Sequence, residues 1–463
     1  MRLTLALAFL ALAAPGAGAA SLDVTASYDV KEVSYRNLDF GQDKNNQSYL
    51  DNNARLGVAA KNIALESRGG EDTTLDVGVL FHALGVSGST LPVNSPFDRA
   101  ASYYPSSNLT PFIENAYLRV HRLWGKPIEV TFGRQSYRLG SGLLLDDDGA
   151  GFTGIVARSE LPWLGLKSDV FLFQDKNPQS AAPNSLTLLG FSLNLPTEGT
   201  WQLNELVERD QSHQLVYGCT YAADSDPNGC SVSKAVRSFT SARYQISYGP
   251  LVFDGEAAME KGVATPTDPQ YNPGGAGLPA PNHITYNADA EVVRMKWKQS
   301  LYGSAAEGIA RASLARGTGD NGATPTRDEA FYPSHGHRYD GLERSGFGDY
   351  YGATPYDAFG GNYSTTTKSG LPHGASGIVV VGAGYTPPAF HGFLLDLDFY
   401  FYQAEQVLTG PRTLGDEWDF RLRYVIRDQF TMSAGFDYFK AGLLTDPRRG
   451  VARKLSFQAS GRF

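Results

Sequence analysis

Arg421 and Arg423, separated by Leu422, are the residues in this sequence best suited to recognition chemistry. A guanidinium stays charged and offers a planar fork of donors that matches a carboxylate. On an extended chain, two residues apart means one face and roughly 7 Å of separation. An anion leaving one fork would meet the next. Five more cations sit among apolar or small neighbours in the same way: Arg119, Arg243, Arg294, Lys296 and Arg311. Together the seven form a candidate cationic path for anions, since rings of such charge select anions. The competing reading is ion pairing along a wall, for which Glu256, Glu260, Glu307, Asp396, Asp398, Asp419 and Asp437 are available. Arg134 follows Phe132 by two, so strict alternation turns it the other way unless Gly133 opens a bulge.

Other chemistry is thinner. Asp146, Asp147 and Asp148 could offer oxygens to Ca²⁺, but the spacing of a calcium-binding loop is absent. His335 and His337 are two metal-ligand types with no further ligands of known position. No nucleophile elbow, zinc-protease helix or phosphate loop occurs, so no enzyme, cofactor or metal centre is expected.

These cations need elements that hold them on one face. From Trp418 to Arg427, Trp418, Phe420, Leu422, Tyr424 and Ile426 alternate with Asp419, Arg421, Arg423, Val425 and Arg427. A period of two with opposite polarities is a strand between two solvents. The pattern recurs in Phe430–Tyr438, Phe393–Tyr402, Val293–Lys298, Ala242–Tyr248 and Leu455–Phe463. About eighteen strands of roughly ten residues are expected, the length that crosses a bilayer when tilted. They start near 22, 53, 74, 113, 127, 151, 165, 186, 200, 237, 250, 286, 302, 376, 393, 416, 429 and 453. Short connections (near 125, 162–165, near 197, 248–250, 427–429) alternate with long ones (85–112, 136–150, 209–236, 261–285, 314–375). Short periplasmic turns and long extracellular loops mark a transmembrane antiparallel β-barrel. A sheet in lipid must close, because an edge would leave backbone groups unpaired.

The remaining features agree. Arg2, the apolar run Leu3–Pro15 and the small residues of Gly16–Ala20 read as a secretory signal peptide over 1–20, followed by one barrel domain over 21–463. Export to an oxidising compartment makes a Cys219–Cys230 disulfide the expected state of the only two cysteines. Twenty-five Tyr, 25 Phe and 51 Gly suit an exported β protein, and a net charge of −8 argues against nucleic acid as a partner. The terminal Phe463 resembles the signal by which the barrel assembly machinery recognises its clients.

The stretch Leu414–Gly442 resembles the C-terminal hairpin of the alginate export porins. Gly415, Glu417 and Asp419 stand at that family's strand start, and Gly435, Phe436, Tyr438, Phe439 and Gly442 at its strand end. The segments 307–321, 330–342 and 132–142 are similar to further strands and loops of the same family. The N-terminal strands carry no such motif. The resemblance implies an eighteen-stranded outer-membrane barrel that passes an anionic polysaccharide by passive diffusion through a lumen lined with arginine and lysine. A general porin for small solutes is the alternative within transport, and a plugged barrel with enzymatic or adhesive function is the alternative outside it.

Overall fold

In the computed structural model the described residues are 20–38, 40, 46–68, 71–87, 108–161, 164–175, 186–211, 232–266, 283–300, 307–320, 326–356, 370–372, 374–426 and 429–463. Cys219, Cys230 and all but the last residue of the signal segment lie outside them.

Eighteen antiparallel strands close on themselves. They are β1 Ser21–Arg36, β2 Gln47–Arg68, β3 Glu71–Ser87, β4 Phe112–His121, β5 Ile128–Gln135 and β6 Phe152–Leu161. There follow β7 Leu166–Asp175, β8 Leu186–Pro196, β9 Thr200–Asp210, β10 Val232–Tyr248, β11 Leu251–Pro266 and β12 Ile284–Ser300. The last are β13 Glu307–Gly317, β14 Ala375–Thr386, β15 Phe393–Val407, β16 Thr413–Ile426, β17 Phe430–Ala441 and β18 Val451–Arg462. Each strand pairs with its sequence neighbours, and β1 pairs with β18 from Ser27↔Arg462 to Arg36↔Arg453. The seam is completed by mutual backbone hydrogen bonds between Ala26 and Phe463. One end of the barrel has only connections of up to six residues, such as 197–199 and 122–127. The other end carries the long ones, the longest being 318–374.

The side-chain parity is that of a sheet between lipid and water. On β16, Trp418 and Phe420 are 47% and 41% exposed, whereas Glu417 and Asp419 are 0% and 6% exposed. A soluble barrel would reverse that order. Leu118, Val170, Phe191, Met295, Val381 and Phe457 continue the exposed apolar band around the outside. A charge placed there would cost about 2–4 kcal/mol at mid-bilayer, so the charged parity faces inward.

The inside is not an empty pipe. Segments 136–151 and 326–356 leave the long-loop end and fold inward. Leu139, Leu143, Leu144 and Leu145 of the first and Phe331, Leu342, Phe347 and Tyr351 of the second are buried in one apolar cluster with inward-facing wall residues. Asp146–Asp148 was expected in an external loop; it lies instead in this inner layer. The physical reason is the adjacent Leu143–Leu145 run, which draws the loop out of water.

Candidate functional site

The two inner segments form a frame clasped to itself and to the wall. Asp146 N–H donates to the His335 carbonyl at 2.6 Å, and His337 N–H donates to the Gly142 carbonyl at 2.8 Å. His337 Nδ1 bonds Asp148 at 2.7 Å and faces Asp146 at 3.3 Å, while Nε2 meets Ser345 at 3.1 Å. Burial alone would lower the His337 pKa; the two carboxylates overcome it and raise it to about 9. The same contacts hold Asp146 below its usual range, whereas burial leaves Asp148 raised.

Wall residues pin the second segment. Glu417 accepts from the backbone N–H groups of Tyr350 (2.6 Å) and Tyr351 (3.1 Å) and from the Tyr402 hydroxyl (2.9 Å). Tyr351 then stacks on Phe439, with ring planes 2° apart and centroids 5.1 Å apart. Glu260 accepts from Tyr332 N–H at 2.9 Å, and Arg237 donates to the Tyr332 carbonyl. Lys454, fully inside the wall, donates to the Asp349 carbonyl at 2.8 Å and lies 3.4 Å from Glu343. Burial would raise the Glu343 carboxyl, but Lys31 and Lys454 hold it down at about 2.

The seven candidate cations fall into two groups. Five are paired. Arg243 grips Asp254 with two bonds of 2.7 and 2.8 Å and also donates to the Gly140 carbonyl. Arg311 reaches Asp398 on both nitrogens at 3.1 Å, across the intervening β14. A side chain at Gly384 would block that reach, since its Cβ would lie 1.9 Å from Asp398. Arg423 bonds Asp396 at 2.7 and 2.8 Å, Arg421 pairs with Asp349 of the inner segment, and Arg119 lies 3.5 Å from Glu129. Two cations stand apart. Arg294 and Lys296 make no ion pair among the described residues; Arg294 lies over the Phe347 ring at 5.1 Å. Both line a space of ≈140 Å³ with Arg311 and Asp398.

Of the acids expected to serve as partners, Asp396 and Asp398 do so as above. Glu256 instead accepts from Ser141 N–H (2.7 Å) and the Ser241 hydroxyl (2.8 Å). Glu307 sits exposed at the short-turn end of β13. Sequence reading missed Asp254 and Glu129 as partners, and missed Arg237, which is wholly buried between Glu208 (2.7 Å) and Glu260 (2.9 Å). The inward parity of Arg237 was readable from Arg243 on the same strand. Arg134 keeps its register opposite Ala116 although Gly133 has φ +112°, so it stays on the outer parity and turns to the Ala150 carbonyl at 3.0 Å. The two histidines do not converge on one point: His335 meets Ser334 at 3.0 Å and the Phe152 ring edge-on, while His337 serves the clasp. Asp147 likewise parts from its neighbours, accepting from Tyr137 and Gly151 N–H at 3.2 and 2.9 Å, and burial pushes it up to about 7.

A space of ≈440 Å³ lies between the inner segment and β1, β2, β16, β17 and β18. Seven cationic side chains, among them Arg421 and Arg423, face five acidic ones there. A second space of ≈380 Å³ borders the clasp.

No family model matches the chain, the alginate export porins included, and no curated protein matches it. Solved structures do. The chain is similar to Acinetobacter baumannii OccAB1 (10% identity, 96% of each chain covered, TM-score 0.55). It is also similar to a BenF-like porin from Pseudomonas fluorescens Pf-5 (9%, 96% of this chain and 99% of that one, 0.53). A third is Pseudomonas aeruginosa OccK8 (11%, 96% and 98%, 0.51). The shared feature is the fold: a closed eighteen-stranded barrel of the bacterial outer-membrane type.

Proposed function

We propose that this barrel is a passive outer-membrane channel for small solutes, biased toward anions. The observation that carries the reading is the ≈440 Å³ space beside the inner segment, with its seven cations against five acids. That volume falls in the range that small ligands fill, roughly 300–1,000 Å³. An eighteen-stranded wall alone would enclose a wider lumen; the inner frame is what reduces it. Solutes of small size are thereby favoured, and the excess of positive charge favours carboxylates among them.

The resemblance to alginate export porins suggests an anionic polymer as cargo. A polymer needs a longer clear path than a small solute. Residues 326–356 would have to withdraw from Glu417, Glu260 and Lys454 to provide it. The small-solute reading asks for less, since the ≈440 Å³ space already holds a solute of that size beside the inner segment. The reading of Phe463 as a signal for the assembly machinery is supported by its 81% exposure at the seam.

Planar-bilayer recording across a KCl gradient tests the bias, and liposome swelling tests the size limit. We expect anion preference in the native chain, reduced in Arg421→Glu and Arg423→Glu. Uronate monomers should enter liposomes faster than neutral sugars of equal size. Cation preference in the native chain would sink the anion bias. Absence of any conductance would sink the channel itself.

A further inference from the structure

Three neighbouring strands place aspartates directly opposite one another on the lumen face: Asp398 of β15 opposite Asp419 of β16, and Asp419 opposite Asp437 of β17. Like charges in register destabilise a sheet. Asp398 is relieved by Arg311. The other two are relieved only in part: Asp437 stands opposite Lys454 of β18 without a hydrogen bond to it, and Asp419 accepts from Asp349 N–H at 3.0 Å on Oδ2 alone. Asp437 is 1% exposed and neither of its carboxylate oxygens meets a hydrogen-bond donor among the described residues; Asp419 is 6% exposed and its Oδ1 is equally bare. Burying carboxylates without donors is costly enough that some positive group normally accompanies them.

The geometry supplies a point of convergence. One oxygen from each of Asp349, Asp419 and Asp437 lies within 4.8 Å of the others. Charge counting gives the missing amount. Fully ionised, Glu343, Asp349, Glu417, Asp419 and Asp437 would carry five negative charges against the three positive ones of Lys31, Arg421 and Lys454, a surplus of two negative. The other acid cluster, Asp146–Asp148–His337, differs because His337 and backbone N–H groups already occupy its oxygens.

We propose that Asp349, Asp419 and Asp437 form a divalent-cation site that ties the inner segment to the barrel wall. All-carboxylate, irregular ligation suits Ca²⁺, with water completing the shell, better than Mg²⁺, which demands a near-ideal octahedron. Entry is through Asp349, which faces the ≈440 Å³ space. The ion bridges β16 and β17 to residue 349 and removes the repulsion between Asp419 and Asp437. This site is independent of the transport reading, since its evidence is the unpartnered carboxylates and its readout is not conductance.

The test uses the full-length barrel in detergent, stripped with EDTA and titrated with CaCl₂ by calorimetry, with thermal unfolding followed in parallel. We expect one Ca²⁺ per barrel and a higher unfolding temperature with the ion. Asp437→Asn and Asp419→Asn should weaken binding by at least roughly tenfold. Both should unfold, in EDTA, no earlier than the native chain, because each removes repulsion. Asp398→Asn, outside the site, should keep the calcium response. Equal responses in the native chain and Asp437→Asn would overturn the site. So would a native chain indifferent to millimolar Ca²⁺ whose stability instead rises as pH falls, because protons would then be what the carboxylates share.

Discussion

Arg423 and Asp396 lie 2.7 Å apart on adjacent strands, and the same carboxylate also takes the hydroxyl of Thr386 at 2.6 Å and the edge of Arg311 at 3.5 Å. One acid thus restrains two of the cations that face the lumen. Asp396→Asn should leave the Arg423 charge unopposed, while Arg311 keeps Asp398. The expected result is a stronger anion preference, read as a larger reversal potential across a salt gradient. Because the pair is partly solvated, stability should fall by no more than about 1 kcal/mol. An unchanged reversal potential would mean that Arg423 only builds the wall.

Gly384 lets Arg311 and Asp398 meet across β14, since any Cβ there would collide with the carboxylate. Gly384→Val should force the pair apart and cost about 1–3 kcal/mol through overpacking. Chemical unfolding of the purified barrel measures the loss. If Val is accommodated with native stability, the close approach is not what keeps glycine at this position.

The His337 clasp gives a pH dependence with a definite sign. Its pKa is raised from 6.5 in the free side chain to about 9 by Asp146 and Asp148. A raised basic group contributes its full stabilisation below the unfolded pKa of 6.5 and loses it as pH climbs through the folded value near 9. The shift corresponds to at most roughly 3 kcal/mol. Channel noise and conductance should therefore rise between pH 6.5 and 9.5 as segments 136–151 and 326–356 part. His337→Ala should already be loose at pH 6.5 and show little further change. A native chain whose conductance is flat over that interval would remove the clasp from the account.

The strand positions were legible because a wall between lipid and water imposes period two on every strand. Most expected starts fall within two or three residues of the observed ones; β2 begins at Gln47 rather than near 53, β10 at Val232 rather than near 237, and β13 at Glu307 rather than near 302. Parity failed where the backbone left the pleat. A register shift opposite Leu80 and Phe81 turns Glu114 inward, although alternation from Leu118 sends it out. The inner frame was not legible as such, since a loop that folds inward and one that stays in water obey the same turn chemistry. Its signal was apolar content: Leu143–Leu145, Phe331–Tyr332 and Tyr350–Tyr351 are too greasy for a solvated loop. The partner choices of the arginines were beyond reach, because Arg421 finds Asp349 through the infolded segment and Arg311 finds Asp398 over an intervening strand rather than on a neighbouring one.

Arg237 tests whether the inner segment governs conductance. It is fully buried between Glu208 and Glu260, and it donates to the Tyr332 carbonyl while Glu260 accepts from Tyr332 N–H. Arg237→Ala leaves two buried carboxylates without their cation and should cost about 3–5 kcal/mol. Loss of stability and loss of the loop anchor are confounded in that variant. The triple change Arg237→Met, Glu208→Leu, Glu260→Leu separates them, since apolar replacement of a whole buried ion group is often neutral or stabilising. It should recover most of the native stability yet keep Tyr332 unanchored. Single-channel conductance above the native value in a barrel of near-native stability would then report the segment's movement alone. Native conductance in the triple variant would show that Glu417 and Lys454 hold residues 326–356 without help from this group.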